Sequence, residues 1–152
     1  MTPKVSFITG NPKKFSEVAK NISSKIILEQ LSIDLIEPQC LSLREISAHK
    51  AKQAFEIAKK PVIVEDSGAF FDAYNEFPGA FTKFIFNQLG IEGLKKILQE
   101  SNTGKFVTIL SYMDDTLSEP LQFICITLQK MEKFPNFATC ETNAQRFLCK
   151  CS

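Results

Sequence analysis

The sequence predicts an α/β fold in which helices flank a mixed β-sheet. Short β-branched strand patterns alternate with amphipathic helix patterns along most of the chain. One long helical pattern begins at a capping box and ends before a proline. Two strand patterns joined by a turn follow the last helix, which gives the predicted order β-α-β-α-β-α-α-β-β. This order is typical of an α/β domain with a mixed sheet.

The first elements alternate between strand and helix. Residues 4–9 form a predicted strand, and residues 13–22 form a helix with one apolar face. Residues 25–36 mix Ile and Leu with turn residues and hold one or two strands. A long helix over 42–59 begins at Ser42, which can cap it. Its predicted buried stripe consists of Ile46, Ala51, Ala54, Phe55 and Ala58.

The next elements follow a proline that stops the long helix. The stretch "PVIVEDSG" is a short apolar strand that ends in acidic residues and a turn. Pro78 and Gly79 open another helix, Gly90 ends it, and residues 93–99 form a short helix after it.

The last clear elements are strands over 105–113 and 121–128, paired antiparallel across the turn "DDTLSEP". From position 130 onward, the apolar residues show no clear helix or strand periodicity. With no internal repeat or linker, the 152 residues are expected to form a single domain.

Composition and charge disfavour several functional classes. The net charge of +1 gives no basic field of the kind that nucleic acid binding needs, so no nucleic-acid partner is expected. The apolar runs fall far short of the roughly 20 residues that span a bilayer. The first residues lack the apolar core and cleavage site of a signal peptide, so we expect none. An odd number of cysteines, five, favours a reducing compartment, and we expect the cytoplasm.

Three of the cysteines lie close to the C-terminus, at Cys140, Cys149 and Cys151. A metal-binding tail and free thiols are both possible interpretations. Structural zinc sites usually show two paired ligand clusters, and the only histidine, His49, is far away, so free thiols are favoured.

The stretch "FITGNPKKFSEV" joins the first strand to the first helix. Gly10 would let a ligand approach the backbone, and the N–H groups and dipole of the helix N-terminus favour an anion. Thr9, Asn11, Lys13 and Lys14 add side-chain donors. The alternative is a plain strand-to-helix turn with two solvated lysines.

The second candidate is the acidic pair in "VIVEDSGAFF". Successive strand side chains point to opposite faces, so Glu65 and Asp66 should not both be buried cheaply. Carboxylates beside a phosphate loop can hold Mg²⁺, which prefers oxygen ligands. The alternative is a solvated acidic loop. Glu37, Lys50 and Lys83 form a third set, and each of these alone is more simply a surface charge.

Four motifs occur in an order that resembles the inosine triphosphate pyrophosphatase family, whose members hydrolyse non-canonical purine nucleoside triphosphates. They are "FITGNPKKFSEV", "LREISAHKAKQA", "PVIVEDSGAFFDA" and "FPGAFTKFI". The resemblance implies an α/β fold with a long, twisted mixed sheet, two lobes around a cleft, and a homodimer. The implied reaction is Mg²⁺-dependent hydrolysis of ITP, dITP or XTP to the nucleoside monophosphate and pyrophosphate.

The resemblance also implies roles for individual residues. Asp66 would accept the proton of the attacking water and share a Mg²⁺ ion with Glu37 and Glu65. The implied substrate-binding residues are Thr9, Gly10, Asn11, Lys14, Lys50, Ser67 and Lys83.

The second half of the family's pattern is missing from this chain. The sequence contains no late Ser-His-Arg motif and no Gly-aromatic-Asp-Pro loop, both of which recognise the base in the family. The part from about 129 to 152 is therefore expected to be truncated or divergent. Two functions remain open: a pyrophosphatase with reduced base selectivity, and a catalytically impaired nucleotide-binding relative.

Overall fold

A computed structural model describes residues 2–22, 24–97 and 103–130 of the chain. Its strands are β1 (Lys4–Ile8), β2 (Ile27–Leu31), β3 (Val62–Phe71), β4 (Pro78–Gly79), β5 (Thr103–Met113) and β6 (Leu121–Lys130). Its helices are α1 (Pro12–Asn21), α2 (Leu43–Ala58) and α3 (Thr82–Ile97), with a 3₁₀ turn over Asp72–Tyr74. Within these ranges, no helix is both long and apolar enough to cross a membrane.

The strands form one mixed sheet in the order β2-β1-β3-β5-β6, with β4 beside one end of β3. β1 runs parallel to β2 and β3, whereas β5 is antiparallel to both β3 and β6. The predicted α/β fold with a mixed sheet is therefore confirmed, as is the predicted C-terminal strand pair. The segment 25–36 contains one strand, β2.

β3 is longer than the sequence predicts. We expected the strand to end at its acidic residues, but it continues to Phe71. It does so because β5 pairs with it along its whole length. Glu65 and Asp66 therefore lie inside a strand rather than in a loop, and their side chains point to opposite faces of the sheet.

The prediction that Pro78 and Gly79 open a helix is wrong. They form β4, which pairs antiparallel to β3, and α3 begins at Thr82. The Thr82 hydroxyl donates to the Gly79 carbonyl at 2.6 Å and accepts the Ala69 N–H at 2.8 Å, which ties the start of α3 to β3. Gly90 interrupts α3 as predicted, with φ 64° and ψ −178°, but the helical turns resume directly after it.

The two faces of the sheet are covered by different helices. On one face, Ala54 of α2 clusters with Val62 and Val64 of β3. On the opposite face, Leu94 of α3 clusters with Phe71. β3 is thus packed on both sides, and any polar side chain that it carries needs a partner.

The predicted divergent segment, 129–152, lies outside the described residues except for positions 129 and 130. Cys140, Cys149 and Cys151, together with the prediction of free thiols there, also fall outside them.

Candidate active site

The site is built around an opening in the sheet beside β3. β1 pairs with β3 only as far as Ile63, and β4 pairs with it only at Ala69 and Phe70. Between these points, positions 64–68 of β3 have no strand on that side among the described residues. Both acidic residues of β3 lie in this opening.

A cleft of about 600 Å³ lies over the opening. It contains all the residues to which the family resemblance assigns catalytic, substrate-binding or metal-binding roles, whereas Lys13 lies outside it. These are Thr9, Gly10, Asn11, Lys14, Glu37, Lys50, Glu65, Asp66, Ser67 and Lys83. The structure thus brings residues from five segments of the chain together, while their roles in binding and catalysis stay predictions.

The loop between β1 and α1 is ordered by its own side chains. Thr9 Oγ1 accepts the Asn11 N–H at 3.1 Å. Asn11 Oδ1 in turn accepts the N–H groups of Lys13 at 3.0 Å and Lys14 at 3.4 Å, so Asn11 is the N-cap of α1. Two of the N–H groups that the sequence suggested for an anion are therefore used by the cap. The helix dipole and the lysine side chains still favour an anion here.

Gly10 lies at a point of this loop where a side chain would fit without a clash. A Cβ atom at this position would contact only Ser32 Oγ, at 3.5 Å, and Gly10 does not adopt a left-handed φ. Neither the packing nor the backbone conformation of the described chain therefore requires glycine here.

Glu65 and Asp66 are both buried, contrary to the expectation from the sequence. The Glu65 side chain is 6% exposed and forms an ion pair with Lys14 of α1. Asp66, on the other face of β3, is 10% exposed and pairs with Lys50 of α2. Each carboxylate can be buried because a lysine from a different helix compensates its charge.

Lys50 joins two carboxylates. Its Nζ atom lies 2.6 Å from Asp66 Oδ1 and 2.9 Å from Glu37 Oε1. Burial alone would lower the pKa of Lys50, but its attraction to Asp66 and Glu37 outweighs burial and raises it. Lys50 is therefore held in its charged form between two acids.

Glu37 and Asp66 have opposite pKa shifts although they share this lysine. The hydrogen bond from Lys50 lowers the pKa of Glu37, and Lys83 and Lys14 add to this effect from a greater distance. Burial raises the pKa of Asp66, and Lys50 offsets burial only in part. Asp66 Oδ2 is also buried without a hydrogen-bond partner in the described chain. Asp66 is therefore the more basic carboxylate and has one oxygen available.

Two of the carboxylates fit a divalent cation. In the described part of the chain, no group of three or more His, Cys, Asp and Glu side chains is close enough to hold a metal. Glu37 and Asp66 nevertheless converge on one cation, the Lys50 ammonium, and Asp66 has an unpartnered oxygen. Mg²⁺ is commonly held by one or two carboxylates together with substrate phosphates, so these oxygens fit it when a nucleotide is present.

The other two predicted contacts lie at the rim and floor of the cleft. Lys83, on the first turn of α3, is exposed, so its ammonium group is free to move toward an anion. Ser67 pairs with Thr108 of β5 and shares the β3 face of Glu65.

Sequence reasoning missed Ser47, which is fully buried on α2 and hydrogen-bonds to Ser111 of β5 at 2.7 Å. A signal for it exists in the sequence. Ser47 lies four positions before Ala51, within the predicted apolar stripe, where a polar residue needs a buried partner.

Comparison with known proteins identifies relatives of this chain. Residues 5–127 match the Ham1 family. The chain is 40% identical over 115 residues to a dITP/XTP pyrophosphatase of Methanopyrus kandleri, covering 73% of this chain and 61% of the relative. It is also 40% identical over 100 residues to inosine triphosphate pyrophosphatase 1 of Trypanosoma cruzi, covering 66% of this chain and 51% of the relative.

The fold likeness extends to solved structures. The structure of a HAM1 protein from Coxiella burnetii matches with a TM-score of 0.67 at 21% identity, covering 84% of this chain and 71% of that one. At this identity the match concerns the fold alone. The chain spans between half and two thirds of the length of the two curated relatives named above.

Proposed function

Because the chain belongs to the Ham1 family, we propose that it hydrolyses purine nucleoside triphosphates such as ITP, dITP and XTP. The products are the nucleoside monophosphate and pyrophosphate, and Mg²⁺ is the cofactor. The names of the relatives support this substrate class. The lysines and carboxylates of the cleft support hydrolysis of a phosphoanhydride bond.

One observation carries the proposal: the cleft contains both buried carboxylates and the lysines that compensate them. Lys14 and Lys50 each pair with an acid on β3. A nucleoside triphosphate with its divalent cation supplies both an anion and a cation. The phosphates can therefore pair with the lysines while the cation pairs with Asp66, so that this buried carboxylate keeps a counter-charge when Lys50 contacts a phosphate.

The phosphate chain would be bound mainly by charge. Lys14 at the start of α1, Lys50 on α2 and Lys83 on α3 approach the cleft from three directions. They would act as point charges on the phosphate oxygens and stabilise the charge that develops as the bond to the leaving pyrophosphate breaks. Gly10 lines the cleft between Thr9 and Asn11, and its lack of a side chain would let a phosphate oxygen come close to the backbone there.

Asp66 is the residue best placed to receive a proton. Its Oδ2 atom is buried and unpartnered, and burial raises its pKa. As a water oxygen attacks the α-phosphorus, its proton would pass to this oxygen, and the bond to the bridging oxygen would break. Bound Mg²⁺ would be held by oxygens of Glu37 and Asp66, and it would neutralise phosphate charge and lower the pKa of a water molecule. Glu65, on the opposite face of β3, pairs with Lys14 and does not converge with these two carboxylates.

We also propose that the chain forms a homodimer and works in the cytoplasm. Edge strand β6 exposes apolar side chains, including Leu121, Phe123 and Ile126, which supports association. The free thiols of Cys40 and Cys125 support a reducing compartment. Light scattering of the purified chain at several concentrations tests the dimer.

The activity is tested by measuring pyrophosphate release from ITP, XTP, dATP and GTP, with Mg²⁺ or with a chelator. We expect Mg²⁺-dependent release from ITP and XTP. Equal release from all four substrates would support hydrolysis of the triphosphate but contradict the proposed preference for the base. ITP binding without release in Mg²⁺ would contradict the proposed activity and support the catalytically impaired relative.

A further inference from the structure

A chain of hydrogen bonds runs from Ser47 of α2 through β5 to β6. Ser47 of α2 and Ser111 of β5 are both fully buried, and their hydroxyl oxygens lie 2.7 Å apart. Gln122 of edge strand β6 donates from Nε2 to Ser111 Oγ at 3.0 Å. The chain therefore connects the interior of the sheet with its outer edge.

The Gln122 amide has one orientation that satisfies its neighbours. Its Nε2 atom donates to the backbone carbonyl of Arg44 at 2.9 Å, and its Oε1 atom accepts from Arg44 Nε at 3.5 Å. Exchanging the oxygen and nitrogen would place two acceptors against each other at the Arg44 carbonyl. Both hydrogens of Nε2 are thus used, one on Arg44 and one on Ser111.

This orientation sets the direction of the two hydroxyl groups. Because Ser111 Oγ accepts from Gln122, the Ser111 hydrogen is available for Ser47 Oγ. Ser47 Oγ then acts as the acceptor of that bond. The hydroxyl hydrogen of Ser47 is therefore not used in the bond to Ser111 and is available to a different acceptor.

Asp66 lies next to Ser47 on the same face of the sheet. Ser47 precedes Lys50 by one turn of α2, and Lys50 holds Asp66 Oδ1 at 2.6 Å. Ser111 pairs with Val64, two residues before Asp66 on β3. Asp66 Oδ2 has no partner at hydrogen-bond distance in the described chain. Ser47 is also among the groups that lower the pKa of Asp66 and partly counteract burial.

We propose that Ser47 is a positioning residue for Asp66, with its hydroxyl hydrogen directed toward the Asp66 carboxylate by Ser111 and Gln122. The proposed catalytic role of Asp66 is the basis of this inference. Ser47 would fix the rotation of the carboxylate so that one lone pair of Oδ2 accepts from Ser47 and the other faces the cleft. Gln122, on an edge strand, would then influence a reaction in which it takes no direct part.

The direction of the network can be reversed with little change in shape. In Gln122→Glu, the carboxylate can accept a hydrogen bond but cannot donate one. Ser111 would then donate toward residue 122, Ser47 would donate toward Ser111, and Asp66 would lose its donor. The new carboxylate attracts the Arg44 guanidinium but also faces the Arg44 backbone carbonyl, so the free energy of unfolding of this variant is measured together with its activity.

The test compares Ser47→Ala and Gln122→Glu with Ser6→Ala, as a matched control. Ser6 is also buried and donates a hydrogen bond to a carboxylate, that of Glu29, but it does not line the cleft. We expect kcat for ITP to fall about tenfold in Ser47→Ala and Gln122→Glu with KM little changed, since a hydrogen bond to a charged group is lost. Ser6→Ala should leave both constants unchanged.

A second measurement does not depend on activity. The ¹³C resonance of the Asp66 carboxyl carbon, assigned by its loss in Asp66→Asn, reports hydrogen bonding to that group at one neutral pH. It should move in Ser47→Ala and Gln122→Glu and stay unchanged in Ser6→Ala. An unmoved resonance in the first two variants would overturn the proposal, and Ser47 would then donate to the carbonyl one turn earlier in α2. An inactive parent chain would contradict the proposed function, while the resonance would still decide the role of Ser47.

Discussion

Two clusters in this molecule contain the same chemical groups but differ in their environment. At one end of the sheet, Glu29 is surrounded by Lys4, Lys60 and Ser6. In the cleft, Asp66 is paired with Lys50 and lies near a serine. The Glu29 side chain is 25% exposed and its pKa is lowered to about 2, mainly by the hydrogen bond from Lys4. The pKa of Asp66 is raised by burial.

Solvent access and the number of partners, rather than residue type, distinguish the cluster around Glu29 from the cluster around Asp66, for which we propose a catalytic role. Both Glu29 oxygens have partners: Lys4 on Oε2, and Lys60 with Ser6 on Oε1. Asp66 has a lysine on only one oxygen, and its other oxygen is buried without one. A fully partnered carboxylate cannot readily accept a further proton, whereas Asp66 can.

The largest expected effect separates the two carboxylates directly. Asp66→Asn should lower kcat for ITP by about 10²–10⁴-fold, because the amide has no basic oxygen for the proton of the attacking water. Glu29→Gln should leave kcat unchanged. Pyrophosphate release measures both, and circular dichroism confirms that the variants fold. Retained turnover in Asp66→Asn would remove Asp66 from the proposed mechanism.

The lysines of the two clusters should differ in their effect on stability. Lys50→Met leaves the buried Asp66 carboxylate without its cation, so the free energy of unfolding should fall by about 3–5 kcal/mol at neutral pH. The exposed Glu37 loses the same partner at much smaller cost. Lys60→Met beside Glu29 should have a much smaller effect, because Lys60 is 42% exposed and Lys4 remains. Denaturant unfolding monitored by circular dichroism measures both changes. Equal losses would show that burial is not what distinguishes the clusters.

The first loop allows a similar comparison between neighbouring lysines. Lys14 lines the cleft and pairs with Glu65, whereas Lys13 is exposed outside it. Lys14→Ala should weaken ITP binding about tenfold, through the loss of a charged contact to phosphate. Lys13→Ala should change it little. Calorimetric titration with ITP in the Asp66→Asn background measures binding without turnover. Equal affinities in the two lysine variants would mean that the loop is a plain strand-to-helix turn and does not bind phosphate.

Much of the fold could be predicted from local patterns. The N-cap at Ser42, the helix break at Gly90 and the paired strands before and after "DDTLSEP" depend on neighbouring residues, and the structure confirms them. The other half of the predicted capping box is not formed, because the Ser42 N–H donates to Cys40 instead of the Glu45 carboxylate. The length of β3 and the strand at Pro78 depend on pairing with distant segments, which a local pattern does not contain.

The candidate site, too, could be predicted only in part. The resemblance and the acidic pattern suggested residues that do share one cleft. The sequence did not predict that Glu65 and Asp66 would both be buried, because each depends on a lysine from another helix. Ser47 was missed for a similar reason, since its partner Ser111 is 64 positions away in the chain.

The smallest expected effect is the pH dependence of stability, in which the two carboxylates have opposite signs. The folded-state pKa of Glu29, about 2, is below its usual value of 4.5. Glu29 therefore stabilises the fold above about pH 4.5, and this contribution is lost as the pH falls toward 2. Asp66 has a folded-state pKa above its usual 3.8, so its ionisation reduces stability as the pH rises past that value.

Two variants separate these contributions. Denaturant unfolding of Glu29→Gln between pH 7 and pH 3 should show a weaker loss of stability on acidification than the parent chain, because the acid that must be protonated is gone. Asp66→Asn should instead show a steeper loss toward low pH, since the group that gains a proton in the folded state is absent. The effects should be small because Glu29 is partly solvated and its ion pairs are screened by salt. Parallel curves of stability against pH for the two variants would mean that protonation of Glu29 and of Asp66 affects stability in the same way. The proposed difference between the two carboxylates would then depend only on the effect of their substitution on kcat.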